Sequence, residues 1–332
     1  MFARLAEPGV ITTSPDLPDV STGDSPVDLV VSPDGKFVYV SAGYGYEINV
    51  YSRSAIGALT PLVSASSPGF PYGLAMSSNG SFLYVASAEG GNATVYSRNA
   101  TTGALTVIQT ISVNSQFPYK VALSQDQRHV YVTNYSGTGA NTITVFVRNT
   151  STGMLTYSTK VASQTNPYWV SVSPDDKHVY VTCPSGFVCV YTRNSTTGGL
   201  SLVQTVTGMS YPMGMCLSSD GSTVYITDAQ TSQIVWYSRN ASTGVLTAAG
   251  SVYVGTAPSS MAISPDGLYL YVTNSYDTTV SILNRSTTTG ALTASKVINV
   301  GRRPYTICLS PNGANAYIVN NESDSVSSYV RR

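Results

Sequence analysis

Lys120, Glu89 and Arg303 are the side chains whose types could serve a hydrolytic centre, since a carboxylate can activate water and a cation can hold an oxyanion. They come from three different stretches of the chain and share no motif. The two histidines, His129 and His178, each open a run of the form HVYVT, where comparable runs begin with Phe37, Phe82, Thr223 or Tyr269. A catalytic histidine would not be expected to repeat. The sequence therefore assigns no catalytic set, no metal ligands and no cofactor.

Four cysteines are too few to staple a chain of 332 residues. Cys216 and Cys308 fill the small-residue slot held elsewhere by Ala75, Ala122 and Ala262. Cys183 and Cys189 flank the short loop Pro184 to Val188 and are placed to face each other across a hairpin, either as a disulfide or as two small buried thiols.

What positions these residues is a repeat. A turn signal recurs at Ser32, Ser77, Ser124, Ser173, Ser218, Ser264 and Ser310, as SPDG or a close variant, so the chain holds seven units. Within each unit four β-rich runs are separated by Gly, Asn, Asp or Ser turns, as in Val121 to Ser124, His129 to Asn134, Ile143 to Arg148 and Leu155 to Val161. No capped helical periodicity interrupts them. The expected fold is all-β, a seven-bladed propeller of four-stranded blades beginning near residues 25, 70, 117, 166, 211, 257 and 303.

The last unit stops after its third strand. Gly9-Val10-Ile11-Thr12 repeats the pattern of Gly57-Ala58-Leu59-Thr60, so residues 1–12 are expected to supply the outer strand of blade seven and close the ring, making residues 1–332 a single domain.

YVTN stands at Tyr131 to Asn134 and at Tyr271 to Asn274, with YVTC at Tyr180 and YITD at Tyr225. With the SPDG and TG-x-LT turns, these make the chain resemble the YVTN-repeat propellers, a group that includes surface-layer proteins and the lactonases related to 6-phosphogluconolactonase. The resemblance implies a seven-bladed propeller and, for a lactonase, His, Arg and Glu at the channel mouth. This sequence departs from that set, because it places no histidine there.

Every third strand ends in arginine, at Arg53, Arg98, Arg148, Arg193, Arg239, Arg285 and Arg331, and the turn residues Asp34, Asn79, Asp126, Asp175, Asp220, Asp266 and Asn312 share their face. These are expected to bond to one another as scaffold. Asn99, Asn149, Asn194 and Asn240 begin N-x-S/T sequons but lie in recurrent turns. The opposite face collects aromatics: Phe70, Tyr72, Phe117, Tyr119, Tyr168, Trp169, Tyr211 and Tyr305 at the blade entrances, and Tyr44, Tyr46, Tyr135 and Tyr276 in the loops after the second strands. With Lys120 they form the candidate binding face, unless they only pack over the prolines beside them. Its charged residues lean acidic.

A chain with 17 basic and 17 acidic residues has no net field for phosphate backbones, so nucleic acid is not expected as a partner. No apolar run is long enough to span a membrane, and no export signal opens the chain. The aromatic face, low charge and uncharged outer strands point to a non-catalytic propeller. It would bind protein or glycan, or assemble as a homo-oligomer or polymer, in an extracellular, cell-surface or virion setting. The alternative is a lactone hydrolase of the 6-phosphogluconolactonase-like type.

Overall fold

The computed structural model describes residues 8–135 and 141–332; most of the loop expected between Asn134 and Ile143, and the first residues of the closing segment, lie outside them. The described chain is all-β, with seven antiparallel sheets arranged as the blades of a ring. In blade three the order from the channel outward is Pro118–Leu123, His129–Asn134, Thr142–Arg148 and Leu155–Ala162. Blade one differs at its rim, where Leu59–Pro61 and Ala65–Ser66 share the work of one outer strand.

Blade seven is built from both ends of the chain. Ile11–Thr12 pairs with Val330 and Arg331, and Val20–Ser21 then pairs with Val326 and Ser325. The closing strand is thus in two pieces, the second lying beyond the segment that the GVIT pattern marks. Among the described residues, the N-terminal strands thus cover the outer edge of the last strand of the chain.

The core is not central but divided. Seven apolar clusters each join two neighbouring blades; one, for example, packs Phe82, Tyr84 and Val95 of blade two against Val121, Val132 and Phe146 of blade three. Second strands are covered on both faces, which is why runs such as HVYVTN are buried throughout. Their polar members are partly satisfied locally: Asn134 Nδ2 donates to Thr142 Oγ1 and Thr144 Oγ1, both at 3.0 Å, while its Oδ1 is buried without a partner.

The repeating Tyr, Arg and Asp form a clasp between blades. Arg98 of blade two donates through Nε to the Tyr39 hydroxyl of blade one at 2.8 Å and through Nη2 to Asp34 at 2.7 Å, while Tyr39 donates to the Gly103 carbonyl at 2.9 Å. Arg193 and Arg239 repeat it on Tyr131 with Asp126 and on Tyr180 with Asp175. In these two clasps Nη2 also donates to Nδ1 of His129 and of His178, each at 2.8 Å. Each ring fills the space a Cβ would take on a turn glycine of the next blade, Gly198 or Gly244, both of which are also at positive φ. Burial first, and then the adjacent arginine, lower both histidine pKa values, so the rings are neutral scaffold.

Candidate functional site

The entrance face is built by one repeated tripeptide. Each blade enters its inner strand through X-Pro-Y, and Pro at the strand start costs no ladder hydrogen bond. Residue X is held at positive φ in several blades, including Phe117 (φ 51°), Ala257 (φ 53°) and Arg303 (φ 53°), a conformation that strains non-glycine residues. Residue Y lies in the innermost strand, or, for Tyr168, directly before it. In four blades it is tyrosine, Tyr72, Tyr119, Tyr168 and Tyr305, where the other three have Val27, Met213 and Ser259.

Three of these tyrosines meet. The Tyr119 hydroxyl donates to Tyr168 at 2.8 Å, and the Tyr305 hydroxyl lies 2.6 Å from each of the other two. A closed ring of three hydroxyls lets each donate once and accept once, leaving an acceptor lone pair on every oxygen. Stacking supports it, with ring centroids 4.3 Å apart for Tyr72 and Tyr119 and 4.2 Å for Tyr119 and Tyr168. Burial holds the Tyr119 and Tyr168 hydroxyls far above the usual phenol range, and pushes Tyr72 up to about 12. All three are neutral hydrogen-bonding groups at physiological pH.

Above the trio opens a cavity of about 540 Å³. Of the residues singled out in the sequence, Tyr72, Tyr119, Tyr135, Tyr168, Tyr211, Tyr276 and Tyr305 line it. Arg303 is the cationic side chain in its wall; its Nη1 lies 3.6 Å from Glu322 Oε1, and Glu322 also meets Arg302 at 3.4 Å. Sequence reasoning passed over Gln230 and Ser275, which also face the cavity. They occupy the loop that follows the second strand, the same repeat position that brought Tyr135 and Tyr276 to notice, but without an aromatic ring to draw attention.

The remaining aromatics do not join this wall. Tyr44 and Phe70 pack edge to face 5.0 Å apart, Tyr46 donates to Glu89 Oε2 at 2.6 Å, and Phe70 is buried. Phe117 is 49% exposed, beside Glu89 in a separate shallow depression. Lys120 and Trp169 lie around a small void that the tyrosine trio also bounds. There Lys120 Nζ bonds Asp28 Oδ2 at 2.5 Å and sits 4.2 Å from the Trp169 ring, while the same carboxylate oxygen accepts the Leu74 amide at 2.8 Å. Both charges are buried and committed to each other, so Lys120 is an internal cation and not a surface ligand group.

Cys183 and Cys189 are free thiols in the structure. The hairpin register pairs Cys183 with Phe187 and Cys189 with Val181, which sets the two diagonally and not face to face. Ser163 Oγ stands 3.7 Å from one sulfur and 4.0 Å from the other.

The family model for the seven-bladed β-propeller lactonases matches segments that together run from residue 3 to residue 332. No curated protein is matched. Among solved structures, a candidate 6-phosphogluconolactonase of Bacteroides fragilis NCTC 9343 superposes with a TM-score of 0.79 at 20% identity, covering 95% of this chain and 93% of that one. The periplasmic gluconolactonase PpgL of Pseudomonas aeruginosa gives 0.79 at 22%, with 93% of each chain covered. A candidate 6-phosphogluconolactonase of Bacteroides uniformis ATCC 8492 gives 0.74 at 23%, covering 83% and 85%. At these identities the structures establish the shared fold. The expectation of a non-catalytic binding or assembly module is corrected by these matches, which back its alternative; what misled it was the absence of a histidine at the channel mouth. The chain belongs to the seven-bladed β-propeller lactonase family.

Proposed function

We propose that this propeller hydrolyses a lactone in the tyrosine-lined cavity at its channel mouth. The observation that carries the reading is Arg303 in the wall of a cavity whose other polar lining is neutral, with the Glu322 carboxylate 3.6 Å from its guanidinium. Water attacks the lactone carbonyl, and the resulting oxyanion is held by the Arg303 guanidinium. Glu322 accepts the proton that the attacking water loses. Collapse of the tetrahedral intermediate breaks the ring C–O bond; the departing alkoxide takes the proton back from Glu322, and the product is the open hydroxy acid. The tyrosine hydroxyls orient the ring over this pair.

The test is continuous acid release from a panel of five- and six-membered sugar lactones at neutral pH, corrected for spontaneous opening. Turnover that is lost in Arg303→Gln supports the reading. Rates indistinguishable from buffer across the panel, with a protein of native circular dichroism, would remove it.

A further inference from the structure

Resting on that lactonase reading, we infer that the cavity selects an unphosphorylated, polyhydroxylated lactone and discriminates against the corresponding phosphate ester. A phosphate monoester carries close to two negative charges and three strong acceptor oxygens, so a site built for it supplies clustered Arg or Lys, or the amides of a helix N-terminus. Neither is present among the described residues of this cavity. The described chain contains no helix, and the cationic lining is the single guanidinium of Arg303, 3.6 Å from the Glu322 carboxylate that Arg302 shares. Lys120 is turned into the void next to the tyrosine trio and neutralised by Asp28.

Two carboxylates also bond the backbone next to wall residues. Asp228 accepts the backbone amides of Ser210 and Tyr211 at 2.9 Å, and Asp277 accepts that of Thr256, which anchors both carboxylates beside wall residues Tyr211, Ala257 and Tyr276. A dianion entering here would lose hydration and meet the one guanidinium of Arg303, which is too little charge to match two negative charges. A neutral sugar ring meets a complementary wall. Tyrosine faces suit its C–H surface, and the phenolic oxygens, the Gln230 amide and the acceptor lone pairs of the tyrosine trio suit its hydroxyls.

The experiment compares kcat/KM of the full chain on D-glucono-1,5-lactone and on its 6-phosphate at fixed ionic strength, and adds calorimetric binding of D-glucose and D-glucose 6-phosphate, which present the same ring but cannot be hydrolysed. The expected result is at least about a tenfold preference for the neutral member in each pair. Equal or faster turnover of the phosphate ester overturns the inference, as does tighter binding of glucose 6-phosphate or binding of neither sugar. Preference for glucose with no turnover of either lactone would remove the lactonase reading and leave the ligand class standing.

Discussion

Tyr271 donates its phenolic hydrogen to the carbonyl of Gly9 at 2.6 Å, across 262 residues of sequence. The same bond joins Tyr39 to Gly103, Tyr84 to Gly153 and Tyr317 to Gly57, so the N-terminal segment is clasped to blade six as any outer strand is clasped to the blade before it. Tyr271→Phe is expected to lower stability by about 1–2 kcal/mol, the worth of a buried hydrogen bond whose acceptor is left unpaired. Hydrogen exchange should accelerate first at Ile11, Thr12, Val330 and Arg331. Removing residues 1–12 should cost more, because a whole stretch of edge is then exposed. A truncated chain that melted within a degree or two of the full one would show that closure contributes nothing.

Acid should loosen the clasps in two stages. His129 and His178 have folded-state pKa values below their unfolded ones, so the unfolded chain takes up protons first and stability falls as pH drops below about 6.5. Asp34, Asp126 and Asp266 are lowered, and Asp175 is held at about 2, by hydrogen bonds from serine hydroxyls and arginines that outweigh burial. Their contribution is complete above about pH 4 and is lost as pH falls through the folded values. Asp176, raised by burial, works in the opposite direction. Chemical denaturation from pH 7 to pH 2 should therefore show a shallow decline and then a steep one. His129→Gln with His178→Gln should flatten the first stage only, and an unchanged first stage would refute the assignment.

Lys120→Ala should destabilise the fold by about 3–5 kcal/mol, because Asp28 would be left as an uncompensated charge that is 6% exposed. The paired change Lys120→Met with Asp28→Asn should recover most of that loss, since it removes both charges together. Urea melts of Lys120→Met, Asp28→Asn and the double variant close the cycle. Additive effects would mean that the pair is not coupled.

Arg303→Gln should reduce kcat/KM on a lactone by about 10²-fold, the usual consequence of deleting one oxyanion donor. Glu322→Gln should lower kcat with less effect on KM. Stability should barely change in either variant, because both side chains are more than 40% exposed and salt-screened. A stable Arg303→Gln protein with full activity would place the oxyanion site elsewhere.

Much of the scaffold was legible in the sequence because each blade restates the same local chemistry. Ser-x-Asp turns, β-branched runs and an arginine at every third-strand end recur because every blade must solve the same packing problem, and a pattern repeated seven times is visible without an alignment. Even the closing strand could be read from Gly9 to Thr12, since the glycine beneath Tyr271 needs its positive φ as much as Gly57 does beneath Tyr317. The site was less legible for the opposite reason. Sequence marked Tyr119, Tyr168 and Tyr305 as members of one aromatic face with Tyr44 and Tyr46, and only the ring geometry brings three hydroxyls from blades three, four and seven within 2.8 Å while leaving the other two outside the cavity. Lys120 reads as an available cation until Asp28, 92 residues earlier, is seen to neutralise it. Local sequence determined each blade because turns and strand faces depend on neighbours a few residues away; the tertiary fold decided the site because its groups are set by which blades face one another across the channel.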